Sequence, residues 1–543
     1  MRAGEDEQEK QEQRMKSKAE QSIRRIAGIK YGLILQGSAI GILAGLLISM
    51  FRLILAKAES FRMAVVNGLS SAASTETVAA VAAGFLLCFF CAWLCLRMEP
   101  MCAGSGIPQV AGELKGKIFQ NWPRVIITKF VGASATIFAG LSLGREGPSI
   151  QLGAMVGKGF SSAADKLATE EKLLMTCGAV AGLSSAFSAP LAGVIFALEG
   201  LHKNFSTDIL LGSMASSIAA DFVAYYIFGL NPVFDLKLGE ALPLKFYWTI
   251  LLLGIFLGVF GTLYGRVVEL FQAGYGKIGS TAARLCVPFA AAVPLALFYP
   301  HVLGGGYDLV TKVAEGKFLL GAAALLLAVK FGFSVLSFAS GAPGGIFMPL
   351  LVIGGIAGGF FFMLFDGIMG MDEVFIANFV VYGMVGYFAA IVRSPVTGVI
   401  LITEMVGDFR NFLSLCIVAF VAYIVADLMG SRPIYDRLLE RLLAKSEDLG
   451  MDDSLKSNKV LLYSDVYIFG YMDGKKIEKM KLPAGSLVVA VNRGNEEIVP
   501  RGNTVLRGGD KLTVLCNQGD MAEVDEMLKL LCRTEGEDRH ENR

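Results

Sequence analysis

Glycine and proline flank a few chemically distinctive side chains at three places in the chain: GSGIP at 104–108, GREGP at 144–148 and GGIFMP at 344–349. Each motif lies immediately before or within an apolar stretch, so each reads as a helix that starts inside the protein. The first N–H groups of such a helix have no helical partner, and the helix dipole puts partial positive charge there. Those groups can hold an anion without a full positive side chain. An ion held in this way can also leave, which suits passage better than storage. The plainer alternative is a tight Gly/Pro turn that lets helices pack closely, and it explains any one motif taken alone. Within GREGP, Glu146 is a carboxylate in apolar surroundings, where an ionisable group is costly and by default functional. Its alternative, a structural pair with Arg145, is weakened because adjacent residues on one helix point in different directions. Lys129 is a second charge in an apolar segment. It reads equally as a snorkelling interfacial lysine or as a source of positive field that favours anions.

The elements that must position these groups are membrane helices. Of the 543 residues, 54% are hydrophobic and only 18% charged, and the mean hydropathy is +0.57. Water-facing proteins of this length carry more polar surface. The charge collects in residues 1–30 and beyond about 431, so the chain reads as a membrane core with soluble ends. The near-zero net charge of +1 averages unlike parts and offers nothing to nucleic acid. No apolar run opens the chain, which argues against a cleaved signal peptide. Arg24, Arg25 and Lys30 precede the first apolar run, and further basic clusters lie at Lys115, Lys117, Arg124 and at Arg432, Arg437, Arg441, Lys445. By the positive-inside rule both termini are expected in the cytoplasm. Segments 32–56, 77–97, 246–272, 318–338 and 411–429 each hold roughly the 20 apolar residues a bilayer needs. Segments near 148–160, 173–185, 190–200, 343–365 and 395–406 are expected to be short or cut by Gly and Pro. Broken helices survive in lipid only where protein buries them or a cavity opens beside them.

The chain also matches itself. Gly144, Pro148, Gly153 and Gly157 recur 201 residues later as Gly345, Pro349, Gly354 and Gly358. Pro190, Gly193 and Glu199 recur 205 residues later as Pro395, Gly398 and Glu404, where PLAGVIFALE stands against PVTGVILITE. Two matches in the same order at nearly one offset indicate an internal repeat, as in inverted-repeat transporters whose broken helices mark the binding site.

GSGIP, GREGP and GGIFMP, in this order and spacing, resemble the signatures of the CLC chloride channels and transporters. Tyr435, in SRPIYDRLLER after the last apolar segment, agrees. The resemblance spans about residues 30–445 and implies an all-α membrane domain of two inverted halves, about 31–240 and 241–445, in a homodimer with one anion path per subunit. It implies that Ser105 and Tyr435 coordinate a central chloride together with the amides of Ile346 and Phe347. Glu146 would be the gate, covering the outer site when ionised and swinging out when protonated. Gly104, Gly106, Ile107, Pro108, Gly144, Arg145, Gly147, Pro148, Gly344, Gly345 and Pro349 would form the helix starts around the anion. Well-known antiporters of the family carry two consecutive glutamates after the PLAG helix, the second of which passes protons. Here that stretch reads ALEGLHKNF, with Glu199 followed by Gly200. Water reaching Glu146 directly, Glu199 serving from a neighbouring face, and absent coupling are the three options. The composition and tail resemble prokaryotic members, most of which exchange protons. The expected function is therefore chloride/proton antiport in a prokaryotic plasma membrane, with a passive voltage- or pH-gated chloride channel as the alternative. Fluoride-exporting relatives alter the central serine and the GREGP proline; Ser105 and Pro148 are both present.

Past about residue 448 the pattern changes to β-rich runs at 459–463, 466–470, 486–491 and 511–515, separated by turn signals at Asp473-Gly474 and Gly508-Gly509-Asp510, with a helical stretch at 521–532. The expected organisation is a cytoplasmic segment 1–30, a membrane domain 31–445, a linker 446–458, a small α+β domain 459–535 and a disordered tail 536–543. KLPAGSLVVAVNRGNEEIVPRGNTVLRGGDKLTVL resembles the RCK C-terminal (TrkA-C) domain, which implies dimerisation and, in some relatives, binding of a small ligand such as cyclic di-AMP. Two rivals from other classes fare worse. The apolar segments contain no paired nucleophile and base and no HExxH-type motif, against an intramembrane enzyme. They also contain no TVGYG-like filter, against a potassium-transport subunit. Nine cysteines and three histidines show no metal-ligand spacing, so no cofactor is expected.

Overall fold

The computed structural model describes residues 31–65, 75–164, 166, 168–203, 207–230, 232–448, 459–467, 470–483, 485–493, 496–517 and 520–533. The N-terminal segment 1–30, most of the linker and the tail 536–543 lie outside them. The chain divides into two compact units. The membrane unit comprises the chain to Ile107, Asn121–Ala164 and Leu173–Tyr435; the second unit comprises Pro108–Gln120, Asp165–Lys172 and the chain from Asp436.

The described α-helices to residue 428 fall into two runs of eight, each with an eight-residue third helix and a short seventh. The first run is α1 (Tyr31–Val65), α2 (Thr75–Met98), α3 (Ile107–Leu114), α4 (Trp122–Phe138), α5 (Glu146–Ala163), α6 (Ala168–Phe187), α7 (Pro190–Phe196, prolonged by a π-turn Ala197–His202) and α8 (Thr207–Phe228). The second is α9 (Tyr247–Gly276), α10 (Thr281–Phe298), α11 (Tyr307–Ala314), α12 (Leu320–Ala339), α13 (Phe347–Met369), α14 (Ile376–Val392), α15 (Pro395–Val406) and α16 (Phe412–Leu428). The eight-residue helices α3 and α11 each follow a short 3-10 turn that opens on a proline, Pro100 or Pro300. Proline suits such starts because it has no N–H to leave unpaired.

Contacts between the halves are reciprocal. Gly144 and Gly345 form an isolated antiparallel bridge, each donating its N–H to the other's carbonyl at 2.6 and 2.8 Å. The Glu199 carboxylate, at the end of α7, accepts from the amides of Val396 and Thr397 at 3.2 and 2.7 Å, at the start of α15. The Glu404 carboxylate, at the end of α15, accepts from the amides of Leu191 and Ala192 at 3.0 and 2.8 Å, at the start of α7. Contacts in which i meets j and j meets i belong to a two-fold axis between the halves. The fold is therefore an inverted repeat of long, short and interrupted helices.

Eight described helices are long and apolar enough to span a bilayer. Four of them, 209–228, 281–298, 373–392 and 347–368, were not among the expected spans, and the expected span 411–429 is a shorter helix of 17 residues. Asp221 dilutes the first, Pro288 and Pro294 sit inside the second, and Pro395 closely follows the third. Conversely, α13 is one continuous 23-residue helix, not a broken one; the interruption lies in the loop before it. Helix α14 is buried at every residue, packed among α9, α13 and α16. Glycines allow this: a methyl at Gly354 would lie 2.5 Å from the Gly383 carbonyl oxygen, and such close approach is what binds helices where lipid supplies no hydrophobic drive.

Lys129 is wholly buried and neither snorkels nor faces an open path. Its ammonium donates to the carbonyls of Cys102 and Gly104 at 3.1 and 2.6 Å. Lys330 repeats this in the second half, on Val302 and Gly304 at 2.8 Å each. Each lysine pins the turn before a short helix by donating to carbonyls that have no partner within a helix.

In the second unit, α17 (Ile434–Asp448) runs from the membrane unit's last residues, and the tail folds as a four-stranded antiparallel sheet in the order β1-β4-β2-β3. Its strands are β1 (Lys459–Asp465), β2 (Leu487–Arg493), β3 (Glu496–Ile498) and β4 (Lys511–Asn517), followed by α18 (Met521–Arg533). Of the strand expected at 466–470, residues 468 and 469 lie outside the described residues; β1 ends at Asp465, and the Val466 amide donates to the Asp510 carbonyl. Alternate residues Leu512, Val514 and Cys516 share a core with Val524, Leu528 and Cys532, the period-2 face of a strand meeting an i, i+4 face of a helix. Asp510, 1% exposed, accepts two bonds from Arg493 at 2.8 and 2.7 Å and one from the Arg507 amide at 2.8 Å. Burial by itself would raise its carboxyl, but the Arg493 and Arg507 hydrogen bonds outweigh burial and hold it below the usual range. A depressed carboxyl stabilises the fold fully above the unfolded value of about 4 and loses that contribution as pH falls through the lower folded value. Asp510→Asn is therefore expected to cost the tail about 2 kcal/mol at pH 7 and progressively less below about pH 4. Faster amide exchange in β2 and β4 of the full-length variant at neutral pH checks this.

Candidate functional site

Three loops some 40 and 200 residues apart meet at one place. The Gly344 amide donates to the Gly104 carbonyl at 2.9 Å, and the Gly104 amide to Gly341 at 3.3 Å. With the Gly144–Gly345 bridge, these bonds bind the loops of GSGIP, GREGP and GGIFMP together. The left-handed backbone at Gly106, φ +94°, and the open conformation at Gly344, φ +152°, both call for glycine. A methyl at Gly106 would also strike the Gln151 side chain, and one at Gly344 would come 2.8 Å from Leu143.

Helix α5 begins at Glu146 and α13 at Phe347, and neither start has a side-chain cap. Their N-cap residues, Arg145 and Ile346, offer no acceptor to the first amides. The contrast with α7 and α15 is chemical: those two starts are closed by the carboxylates of Glu404 and Glu199. The repeat thus has two pairs of helix starts, one pair satisfied by the opposite half's glutamates and one pair left to something else.

What stands beside the unsatisfied pair is polar and unpartnered. Ser105 is 3% exposed, and its hydroxyl has no hydrogen-bond partner. It faces Gly147, where a methyl would fall 2.5 Å from Ser105 Oγ and 2.7 Å from its carbonyl oxygen. Tyr435, the second residue of α17, is 9% exposed; its hydroxyl is likewise unpartnered and lies within electrostatic reach of Glu146. Ile346 and Phe347 are fully buried. The Phe347 ring packs on Phe388, Phe187 and Phe196 at centroid separations of 4.7, 5.3 and 6.4 Å. That aromatic cluster holds the start of α13 rigid and excludes water around it. Buried polar groups without partners are costly and call for a ligand or water.

Glu146 is wholly buried; its carboxylate is set toward its own amide, the Met348 amide and the Tyr307 hydroxyl, though none of these closes a well-aligned hydrogen bond. The Arg145 Nε stands 3.8 Å from Oε1. The expectation that neighbouring side chains would diverge fails here, because Arg145 sits before the first turn of α5 and is not committed to its face. The contact is an ion pair without a hydrogen bond. Beyond Glu146 lies a cavity of 320 Å³ lined by Arg52, Glu59, Gly144, Arg145, Ser188 and Tyr307 among others. Sequence reasoning missed Arg52. Its position inside the first span was the available signal, since an intramembrane arginine is functional by default.

Gly200 lies in the π-turn after α7, a geometry frequent at functional sites. A Cβ there would come 2.8 Å from Phe196, so no larger side chain enters without moving that ring. Glu199 turns instead to α15, where it also accepts from the Thr397 hydroxyl at 2.6 Å.

Comparison with known proteins agrees with this architecture. Residues 84–427 match the voltage gated chloride channel family, and residues 470–529 match the TrkA-C domain. The H(+)/Cl(-) exchange transporter ClcA of Vibrio parahaemolyticus is 31% identical over 431 residues, covering 78% of this chain and 92% of that protein. ClcA of Cronobacter sakazakii is 32% identical over 426 residues, covering 76% and 91%. The crystal structure of a slow cyanobacterial Cl-/H+ antiporter superposes with a TM-score of 0.71 at 28% identity, covering 76% of this chain and 99% of that one. With its three converging glycine-rich loops, its twofold-related halves and these matches, the chain belongs to the CLC family of voltage gated chloride channels and carries a TrkA-C domain behind the membrane unit.

Proposed function

We propose that this chain exchanges chloride for protons across a membrane, as its relatives' names describe for them, and that it is a transporter and not an enzyme. The observation that supports the reading is the set of unpartnered groups: the Ser105 hydroxyl against Gly147 in α5, the Tyr435 hydroxyl, and the starts of α5 and α13, which have no side-chain cap. In this reading chloride rests between those hydroxyls and the amides of Ile346 and Phe347. Glu146 occupies the neighbouring position when ionised and vacates it when protonated. Each passage of the lid then links a proton to anion movement.

The termini face the cytoplasm in this reading, which follows the basic clusters that flank the membrane unit. The active form is a homodimer with separate paths, and the TrkA-C domain dimerises with it and takes a small ligand, cyclic di-AMP being one candidate. Equilibrium sedimentation in detergent tests the dimer, and calorimetric titration of the nucleotide tests the ligand.

For the proton's second station we propose Glu199, the carboxylate beside Gly200, released when its bonds to α15 loosen. Glu199→Gln is expected to lower the proton-to-chloride ratio severalfold while chloride still passes. A ratio equal to the parent's would assign the route to water. The reading as a whole is tested with purified protein in liposomes. Radioactive chloride should accumulate, and a pH gradient should shift the reversal potential. A reversal potential indifferent to pH would mean a passive channel.

A further inference from the structure

Asp221 is a buried carboxylate that the exchange proposed above does not use. It lies on α8, 3% exposed, in one stripe with Ser217 four residues before it and Tyr225 four residues after. Its Oδ1 has no hydrogen-bond partner. The titratable and charged groups that face it come from three helices: the Tyr225 hydroxyl from α8, the Arg52 guanidinium from α1 and the Glu404 carboxylate from α15. Glu404 is engaged on the amides of Leu191 and Ala192 and adds only repulsion. Arg52 is the one cation of the three.

Arg52 belongs to two neighbourhoods. It lines the cavity of 320 Å³ together with Glu146, and Asp221 is not among the lining residues. Both carboxylates are nonetheless within its electrostatic reach, as are Arg145 and Tyr307. Its Nη1 donates to the Ser185 carbonyl and, at 3.3 Å, to the Ser188 hydroxyl, and its guanidinium covers the Phe228 ring at 4.0 Å. The Ser188 carbonyl in turn accepts from the Tyr225 hydroxyl at 3.4 Å. Ser188 thus holds Arg52 beside the face of α8 that carries Tyr225 and Asp221. The buried Arg52 Nε and Asp221 Oδ1 are a donor and an acceptor, each without a partner.

We propose that Asp221 is a positioning residue for the gate: in its ionised form it draws on the charge of Arg52, and so sets how strongly Arg52 favours an ionised Glu146. The proposal rests on the exchange reading above, in which Glu146 must be protonated to clear the path. Glu146 faces Arg145, Arg52, Tyr307 and Tyr435. Glu59, within reach of Arg145, is paired with Arg62 at 3.3 Å. Among groups so buried, charges a few ångströms apart are weakly screened. With Asp221 ionised, Arg52 is shared between two carboxylates. With Asp221 neutral, Arg52 is left to Glu146, the ionised lid is favoured, and more acid is needed to open the path. Direct repulsion between the two carboxylates has the same sign.

The pH dependence of chloride efflux from liposomes that hold the full-length protein tests this. Asp221→Asn should reach half-maximal efflux about one pH unit below the parent, the scale on which a neighbouring charge acts. Its maximal efflux at acid pH should equal the parent's. Arg52→Gln should move the midpoint the other way, by a similar amount. In the Arg52→Gln background, Asp221→Asn should shift the midpoint less than half as far. A purely structural Asp221 would lower efflux at every pH and leave the midpoint in place. That result, or an undiminished shift in the Arg52→Gln background, overturns the proposal. Should the asparagine variant fail to fold, Arg52→Gln decides alone, and a midpoint that stays or falls overturns the proposal. Parent efflux that ignores pH, or a Glu146→Gln variant that keeps the parent's pH dependence, instead overturns the exchange reading, and this proposal with it.

Discussion

Replacing Glu146 by alanine is expected to abolish proton movement while chloride continues to pass. The carboxylate is the one titratable group at the start of α5. It is fully buried, faces the Met348 amide and the Tyr307 hydroxyl without a well-aligned hydrogen bond, and lines the cavity of Arg52 and Arg145. Removing it takes away both the negative charge that competes with the anion and the carboxylate that carries the proton in the proposed function. The proton flux should fall roughly 100-fold or more, the scale of what a positioned proton-transfer group contributes. Chloride flux should persist and lose its dependence on pH, because no protonation is then needed to clear the path. Glu146→Gln separates the two effects: it imitates the neutral side chain in size and should likewise pass chloride without protons. Parallel records of chloride efflux and proton uptake from liposomes decide the matter. Proton uptake surviving in the alanine variant would show that the gate lies elsewhere.

The second large effect is on folding. Gly383→Val is expected to leave no recoverable native protein, and Gly383→Ala to cost more than about 3 kcal/mol. A methyl at Gly383 would overlap the Gly354 carbonyl oxygen and lie 2.8 Å from both Cα and N of Gly358. All of these are backbone atoms, so no side-chain rotation relieves the overlap. Helix α14 cannot back away, since α9 and α16 pack against it as well. Any parting of α13 from α14 also moves Phe347, whose ring rests on Phe388 of α14 at 4.7 Å, and so disturbs the proposed anion station. Gly367→Ala is the control: it lies on the neighbouring helix α13, nothing stands within 4 Å of its added methyl, and its higher helix propensity should be neutral to slightly stabilising. Fluorescence-detected size exclusion after heating distinguishes the variants. Equal melting of the alanine variants at 383 and 367 would refute the packing argument.

The Lys129–Lys330 pair and the Glu199–Glu404 pair show how the repeat distributes its costs. Backbone broken inside a membrane leaves donors and acceptors without helical partners, and each half satisfies some of them with its own lysine and some with the other half's glutamate. The helix starts at Glu146 and Phe347 are excluded from that arrangement. The proposed anion station rests on that selective omission.

Several features follow from local sequence alone. The span of α1, the interruptions at GSGIP, GREGP and GGIFMP, the repeat from Gly144 to Gly345 and the strands β1, β2 and β4 are written in apolar run length, in glycine and proline placement and in alternation. These patterns act through backbone dihedrals and hydrogen bonding within a few residues, so they are legible one segment at a time. Tertiary structure decided the rest. That Gly104, Gly144 and Gly344 meet, that Glu199 closes α15 instead of lying free, that Lys129 is buried on two carbonyls, and that Arg52 shares a cavity with Glu146 all depend on which helices pack together. The packing partner of a helix is set by the fit of whole faces against one another, a long-range property that no short stretch of sequence contains.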